Sequence, residues 1–336
     1  MNIFVNDYND LAHEKVLEKL NIVNKKGNLG YGYDDYTKKA KELIKRDLKN
    51  ENVEIEFLAG GTIANIIAVT ANLFPYEGII AANSGHINAH EAGSIEATGK
   101  KIETIYSKDG KIYADELELF LDKFSEEHTI SPKIVYISQT TEMGTVYTYD
   151  EIKNIYDVCL EYGVYLYIDG ARMAVGLAAS DIEVSDLVNI CDMFTLGGTK
   201  NGALYGEALV IVSDELKQNV RRYMKQRGAT IAKGFVFGAQ FIGLFEDGLY
   251  YELGKKSYEM SRYLADRLKE VDLDFYQEPE SNQIFLLLDR EWIDKLLKNN
   301  LFEIMDYNDE KKIIRLVTSY RTSKEEIDSL IEDIKR

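Results

Sequence analysis

The sequence predicts an α/β fold, in which a large domain built on a mostly parallel sheet precedes a smaller α+β domain. Three observations support this prediction. Short apolar runs alternate with amphipathic segments through the first 246 residues. Several of these runs end directly in glycines or polar residues, as buried strands do before a turn into a helix. Beyond residue 247, a long amphipathic segment begins a shorter alternation of strands and helices.

The elements of the large domain are predicted from hydrophobic periodicity and from the residues that interrupt it. Residues 36–50 and 148–163 have apolar positions at helical spacing, and a glycine ends the second segment. Residues 62–74 form a small-residue helix directly after the first strand. Continuous apolar runs are typical of strands buried on both faces. The predicted strands lie within residues 53–61, 77–86, 133–142, 164–172, 185–200 (after a short helix) and 207–216.

The boundary between the domains is predicted near residue 247. It gives a large domain of residues 1–246, which includes an N-terminal arm, and a small domain of residues 247–336. The small domain begins with a long amphipathic helix at residues 250–270. Strand, helix, strand and helix then follow within residues 274–288, 290–300, 313–320 and 323–335.

Composition excludes several classes of function. The chain has 40 basic and 57 acidic residues, a net charge of −17, and its lysines are interleaved with acids. Such a chain repels nucleic acid and anionic membranes. The N-terminus lacks the pattern of a signal peptide, and no run approaches 18 apolar residues. Cys159 and Cys191 lie in apolar contexts without a C-x-x-C pattern, so we expect free buried thiols and a cytoplasmic location.

Polar or glycine-rich clusters follow five of the predicted strands. In an open parallel sheet, ligands bind outside the carboxyl ends of the strands, so these clusters are the first candidates for a site. No spacing of His, Cys and Asp suggests a metal site. The clusters are Gly60–Thr62, Ser84–His86, Ser138–Glu142, Asp169–Arg172 and Gly197–Lys200.

The first cluster lies in the sequence LAGGTIAN, between a strand and a helix. Gly60 and Gly61 let the backbone approach a phosphate, and the helix N-terminus offers free N–H groups. Thr62 adds a hydroxyl group. The alternative is a tight turn with a threonine cap. The pattern is neither a P-loop nor G-x-G-x-x-G.

Asp169 and Lys200 form the second candidate pair. Asp169 ends a buried strand, so its charge needs a cation such as a protonated pyridine or, in a purely structural role, an arginine. Lys200 follows another strand on a glycine-rich turn, where partial desolvation would favour the free amine that forms imines. The alternative is a surface lysine. The two residues are 31 positions apart, the length of one helical crossover. With a phosphate turn and a histidine, they are the parts that a pyridoxal phosphate site needs.

The arrangement resembles the fold-type I pyridoxal-phosphate enzymes of the aspartate aminotransferase superfamily. It is most similar to threonine aldolases and the related β-eliminating lyases. The similarity extends through nearly the whole chain. The motifs that carry it, in the family's order, are YGYDDYTKKAKELI, GGTIAN, GHINAHEAGSIEATG, SQTTEMGTVYT, YIDGARMAVGL, GGTKNGA and RLVTS. Two segments differ from the family pattern: NDY replaces S-D-T, and GGTKNGALYG replaces S-K-G-L-G-A-P.

The resemblance implies a role for each matching position on the cofactor side. Lys200 resembles the lysine that forms the imine with pyridoxal 5'-phosphate, and Asp169 resembles the aspartate that pairs with the pyridine nitrogen. Gly61 and Thr62, with Gly60 near them, look like the phosphate cup. His86 resembles the histidine that stacks on the ring, because the glutamate of HINAHEAG follows it by five positions.

On the substrate side, Arg172 and Arg315 resemble the arginines that hold the substrate carboxylate, with Arg172 also near the cofactor. Tyr31 is a candidate contact across a dimer interface. Arg227 is a candidate phosphate contact in a neighbouring subunit. Glu142 either approaches the site or has a structural role. His13 and His128 are assigned no role, and Trp292 is assigned to packing.

The implied reaction is cleavage of the Cα–Cβ bond of a β-hydroxy-α-amino acid, such as L-threonine or L-allo-threonine. His86, or a water near it, would take the β-hydroxyl proton. The alternatives are β-elimination, transamination or racemisation of another amino acid with the same cofactor. Two further alternatives are a binding protein without turnover and a plain nucleotide-binding protein. On family grounds we expect a homodimer or homotetramer.

Overall fold

A computed structural model describes residues 1–271, 273–308 and 310–335. Helices cover both faces of a large sheet and one face of a smaller sheet. The helices are α1 Glu14–Val23, α2 Asp35–Leu48, α3 Gly61–Thr70, α4 His86–Ala89, α5 Ala114–Leu121, α6 Tyr149–Tyr162, α7 Met173–Ala179, α8 Leu187–Ile190, α9 Asp214–Lys217, α10 Val220–Gln226, α11 Phe235–Phe245, α12 Leu249–Lys269, α13 Arg290–Leu296 and α14 Lys324–Lys335.

The strands form a large sheet, a small sheet and a two-stranded pair. They are β1 Asn2–Ile3, β2 Glu54–Leu58, β3 Glu77–Ala82, β4 Ile102–Ile105, β5 Ser131–Ser138, β6 Tyr165–Asp169, β7 Met193–Gly197, β8 Glu207–Ile211, β9 Phe275–Gln277, β10 Gln283–Asp289, β11 Asn300–Leu301, β12 Glu303–Asp306 and β13 Lys311–Val317.

The large sheet has the strand order β2-β8-β7-β6-β5-β3-β4. Strands β3 to β7 pair in parallel, whereas β8 is antiparallel to both of its neighbours, β2 and β7. Strand β2 therefore runs in the same direction as β7. The carboxyl ends of the parallel strands and of β2 meet at one edge of the sheet, and the start of β8 joins them there. The mostly parallel α/β sheet predicted from the sequence is confirmed.

Both faces of this sheet are buried, which explains why its strands are continuously apolar. Along β5, Ile134 and Tyr136 belong to one core, and Val135 and Ile137 belong to the other. Alternate residues thus point to opposite faces, as strand geometry requires. Cys159 and Cys191 are both buried in the core that contains Val135 and Ile137, and both are free thiols, as predicted.

Local signals define several helix ends. Helix α6 begins at a capping box, in which Thr148 accepts from the Glu151 N–H and Glu151 accepts from the Thr148 N–H. Gly163 ends it in the left-handed conformation that glycine adopts readily. The sequence missed α11 because this helix is almost entirely apolar and buried from Phe237 to Phe245, so it has no amphipathic period.

The small domain has an antiparallel sheet of order β12-β13-β10-β9. Residues 274–288 were expected to form one strand, but the chain instead turns back between β9 and β10. Pro279 lies in that turn, and proline cannot donate a hydrogen bond within a sheet. Strand β1 pairs with β11, and Phe4 is buried in the core of the small domain. The domain boundary near residue 247 stays a prediction, and the N-terminal arm packs on the small domain. In the described ranges, no helix is long and apolar enough to cross a membrane.

Candidate active site

The strand-end clusters converge on two adjoining cavities at the carboxyl edge of the large sheet. The inner cavity has a volume of about 310 Å³ and is lined by Gly60–Thr62, Asp169 and Lys200, among others. The outer cavity has a volume of about 460 Å³ and is lined by Arg172, Arg315 and Lys200, among others. The folded chain therefore brings together the residues that the sequence proposed for cofactor and for substrate, with the exception of Tyr31.

Gly60 and Gly61 form the bottom of the inner cavity at the N-terminus of α3. A Cβ atom added to either glycine would meet nothing within 4 Å. Internal packing therefore does not require glycine at these positions, and the space in front of them is free for a ligand. Helix α3 has ten residues and no side-chain cap, so its first N–H groups face this space with the positive end of the helix dipole. Phosphate groups bind at such helix ends.

Asp169 lies at the end of β6 and is only 6% exposed. Its Oδ2 accepts hydrogen bonds from Asn65 Nδ2 at 2.9 Å and Tyr136 OH at 2.7 Å, and its Oδ1 accepts one from the Ala171 N–H at 2.9 Å. Among the described residues, no lysine or arginine forms a salt bridge with it. The structural arginine pair that the sequence left open is therefore absent there. Neutral donors hold the carboxylate, and its charge stays available to a cation in the cavity.

Lys200 extends into both cavities from the turn after β7. Its neighbours Gly197 and Gly198 are needed for backbone packing, since a Cβ would lie 2.4 Å from the Ala171 carbonyl oxygen or 2.7 Å from that of Gly206. Nζ has no hydrogen bond to the described residues and lies 6.0 Å from the centroid of the Tyr8 ring. Burial and the nearby Arg172 guanidinium lower the pKa of Lys200. The environment therefore favours a nucleophilic free amine.

His86 begins α4, and its ring is fixed by Glu91. The His86 Nδ1 lies 2.8 Å from Glu91 Oε1, and Ser94 and Asn65 donate to the same carboxylate. Burial opposes the charged form of the ring. The hydrogen bond to Glu91 and the charges of Glu142 and Asp169 outweigh burial and raise the pKa of His86. The charged form of the imidazole is therefore more favourable here than in a free histidine.

Arg172 and Arg315 face the outer cavity. Asp7, from the N-terminal arm, binds Arg172 in a fork, with 2.6 Å from Oδ2 to Nε and 3.1 Å from Oδ1 to Nη2. Burial opposes the charge of Asp7, but Arg172 and Lys200 hold the pKa of this carboxyl below its usual range. Arg315 donates to Gln283 Oε1 at 3.2 Å and pairs with Glu303, while its buried Nε has no partner in the described residues.

The two guanidinium groups are close enough that burial and Arg172 lower the pKa of Arg315. Bringing two positive groups together costs free energy unless an anion lies between them. Guanidinium groups bind carboxylates through paired, charge-assisted hydrogen bonds. The outer cavity therefore has the properties of a carboxylate site.

Sequence reasoning missed Glu207, the first residue of the antiparallel strand β8. It accepts hydrogen bonds from Thr199 Oγ1 at 2.7 Å and from the Gly198 N–H at 3.1 Å, and it lines the inner cavity. Burial raises the pKa of Glu207 to about 7. Glu207 begins a strand, whereas the residues predicted from the sequence follow strands. Only the order of the sheet reveals that the start of β8 reaches the same edge. Asp7 and Tyr8 were likewise noted in the sequence only as a departure from the family motif.

Several sequence candidates lie elsewhere. Tyr31 is 44% exposed and lines a separate surface cavity with Arg221 and Lys225. Arg227 is exposed and donates to Tyr223 OH at 2.9 Å. Within one chain, neither residue reaches the Lys200 cavities. Trp292 packs against the small-domain core, as assigned.

Comparison with known proteins agrees with this geometry. A family model described as beta-eliminating lyase matches residues 14–291. The low specificity L-threonine aldolase of Pseudomonas aeruginosa is 30% identical over 79% of this chain and 78% of its own length. A solved threonine aldolase structure from Leishmania major superposes with a TM-score of 0.98 at 40% identity, and the match covers 100% of this chain and 99% of that one.

A structure of SPT with a PLP internal aldimine has the same fold, with a TM-score of 0.73 at 13% identity over 99% of this chain and 86% of that one. The predicted family resemblance and the predicted fold-type I architecture are therefore confirmed. The chain belongs to the beta-eliminating lyase family.

Proposed function

We propose that this chain is a pyridoxal-phosphate-dependent lyase that cleaves the Cα–Cβ bond of L-threonine or L-allo-threonine to give glycine and acetaldehyde. The observation that carries the proposal is the inner cavity. There, an aspartate without a cationic partner and a lysine amine without a hydrogen-bond partner among the described residues line one space, next to a glycine-lined helix N-terminus. The threonine aldolases of Pseudomonas aeruginosa and Leishmania major, which resemble the chain over most of its length, support this choice of substrate.

The inner cavity fits pyridoxal phosphate on three counts. Gly60 and Gly61 leave room for the phosphate, Asp169 offers a negative charge for the pyridine nitrogen, and Lys200 offers the amine that the cofactor aldehyde bonds. His86 has the fixed ring orientation that stacking requires. When bound, pyridoxal phosphate supplies an electron sink for negative charge that develops at Cα.

The outer cavity then selects the bond that breaks. Arg172 and Arg315 bind the substrate carboxylate through charge-assisted hydrogen bonds, which fix rotation about the bond between the amino nitrogen and Cα. Asp7 holds the Arg172 fork in place, and Gln283 and Glu303 hold Arg315. With the carboxylate fixed, the side chain of the substrate points toward Glu142 and His86. Cleavage then follows from proton removal at the β-hydroxyl group.

The proposal includes an assembly of at least two chains, in which Tyr31 of one subunit contacts the site of the next. In favour of this assembly, Tyr31 is exposed and far from the site of its own chain, beside the basic residues Arg221 and Lys225. Light scattering coupled to size exclusion tests the assembly, and a monomer with full activity would contradict it. The free, buried thiols Cys159 and Cys191 agree with the cytoplasmic location that we propose.

The test of function is product analysis with the purified protein, pyridoxal phosphate, and L-threonine or L-allo-threonine in separate reactions. We expect acetaldehyde and glycine in equal amounts, and the ratio of rates reports the preference at Cβ. Pyruvate and ammonia would instead indicate β-elimination. A protein that binds the cofactor and yields no acetaldehyde from either isomer would contradict the proposal.

A further inference from the structure

The group that removes the β-hydroxyl proton can be identified from the walls of the two cavities. The substrate carboxylate binds in the outer cavity, and its amino group is next to Lys200 and the inner cavity. The β-carbon therefore lies where the two cavities meet. Of the described residues, those that line both cavities are Tyr8, His86, Glu142 and Lys200.

Three of these four are poorly suited to act as the base. Lys200 is the attachment point of the cofactor under the proposed function. Tyr8 carries a phenol, which is a donor at neutral pH. His86 has its Nδ1 bound to Glu91 at 2.8 Å, and under the proposed function its ring is held against the cofactor.

Glu142 differs from every other carboxylate near the site. Asp7 is bound by Arg172, Glu303 by Arg315, and Glu207 by Thr199 and Gly198. By contrast, the half-buried Glu142 carboxylate makes no hydrogen bond and no salt bridge with any residue in the described ranges. Its negative charge nevertheless acts on the pKa of His86, Arg172 and Lys200, and all four side chains line the outer cavity.

A carboxylate without an internal partner, on the wall that both cavities share, is placed to act as a general base. Its oxygens are free to accept a proton, and no internal partner must first be displaced. The strand-end cluster that follows β5 supplies it from the large domain. A structural carboxylate in the same place would be bound to a neighbouring donor, as the other acids of the site are.

We propose that Glu142 is the general base that accepts the β-hydroxyl proton of the substrate, an inference that rests on the proposed function. As the O–H bond breaks, its electron pair forms the C=O bond of acetaldehyde, and the Cα–Cβ bond breaks with its electron pair left on Cα. Cα then takes one proton from solvent to give glycine. Glu142 releases its proton to solvent, so that protons and electrons balance.

The experiment compares the holoenzyme with E142Q, which has nearly the same size but is neutral and cannot accept the proton. We expect kcat for threonine cleavage to fall by about 10²–10⁴-fold. Glycine has no β-hydroxyl group, so its Kd, measured by calorimetry, should change less than about threefold.

Two further variants complete the design. E142D keeps the carboxylate on a shorter chain and should recover part of the lost kcat. E161Q makes the same chemical change at an exposed position of α6, outside both cavities, and should behave as the unaltered protein.

Each outcome is decisive. If E142Q keeps kcat within about threefold, Glu142 is not the base. If kcat and glycine affinity fall together, Glu142 positions the substrate or the cofactor, and the inference is also wrong. If the unaltered protein releases no acetaldehyde, the proposed function and this inference both fail. If the unaltered protein cleaves threonine and E142Q does so at a similar rate, only this inference fails.

Discussion

The inner and outer cavities are built in different ways. The inner wall is formed by the large domain with Tyr8 of the N-terminal arm, and neutral donors hold its key carboxylate: Asn65, Tyr136 and the Ala171 N–H bind Asp169. The outer wall combines the large domain, the N-terminal arm and the small domain, and salt bridges to Asp7 and Glu303 hold its arginines. The inner charge is therefore left unneutralised for a permanent ligand, whereas the outer charges are partly neutralised and suit a ligand that comes and goes.

This comparison predicts that the two walls have different roles, and variants can test that prediction. Changes in the inner wall should affect the chemistry and the cofactor, and changes in the outer wall should affect the affinity for amino acid.

Lys200→Ala removes the amine on which the chemistry depends. We expect turnover to fall by at least about 10⁴-fold, because covalent catalysis has no substitute nucleophile on this turn. The far-ultraviolet circular dichroism should be unchanged, since Nζ makes no hydrogen bond to the described residues. Rapid turnover by this variant would refute the assignment of Lys200.

Asp169→Asn keeps the shape of the side chain and removes its charge. Loss of a charge placed to stabilise the reacting system typically lowers kcat by about 10²–10³-fold, and we expect that range here. Cofactor affinity, measured by absorbance titration, should fall too. Conversion of Tyr136 to Phe removes one of the three donors to Asp169 and should have a much smaller effect. Equal effects of the two variants would show that the charge itself is unimportant.

Arg315→Gln tests the outer wall. Loss of one charge-assisted contact to the substrate carboxylate should raise KM by about 10–100-fold. Because Arg315 is outside the inner cavity, cofactor affinity should stay within about threefold. A large loss of cofactor affinity in this variant would contradict the separation of the two walls.

Glu207 gives the smallest and most specific prediction. Its carboxyl ionises near pH 7 in the folded chain against an ordinary value of 4.5. Between these pH values the folded protein holds a proton that the unfolded chain has lost, so this group lowers the free energy of unfolding as pH rises toward 7. The expected loss is on the order of 2 kcal/mol.

Melting curves of the unaltered protein and of E207Q at pH 5 and pH 8 test this effect. Glutamine cannot ionise, so E207Q does not lose stability in this way as the pH rises. The Tm of E207Q minus the Tm of the unaltered protein should therefore be several degrees higher at pH 8 than at pH 5. Glutamine also weakens one of the bonds from Thr199 and Gly198, and that cost is equal at both pH values. A difference in Tm that does not change with pH would rule out the titration of Glu207 in this range.

The sequence located much of the candidate site because the necessary signals are local. Gly60, Gly61 and Asp169 lie at the ends of short apolar runs, and Lys200 follows another such run after a glycine-rich turn. The carboxyl ends of parallel strands meet at one edge whatever the strand order. The location of Tyr31 could not be predicted from such local signals. Its motif belongs to the family, but within one chain its side chain lies in a different cavity.

The alternation of strands and helices, the role of the strand-end glycines and the Lys200–Asp169 pair could all be predicted from the sequence. These features depend on hydrophobic periodicity and on the backbone freedom of glycine, which are set by residues close together in the chain. Which carboxylates of the site already have a hydrogen-bond or salt-bridge partner depends on the tertiary structure. The antiparallel course of β8 brings Glu207 to the site, the N-terminal arm brings Asp7 to Arg172, and the small domain brings Glu303 to Arg315. These partners are far apart in the chain, and long-range contacts follow from strand order and domain packing, which leave no local pattern. Glu142 stands out only after all of those pairs are known.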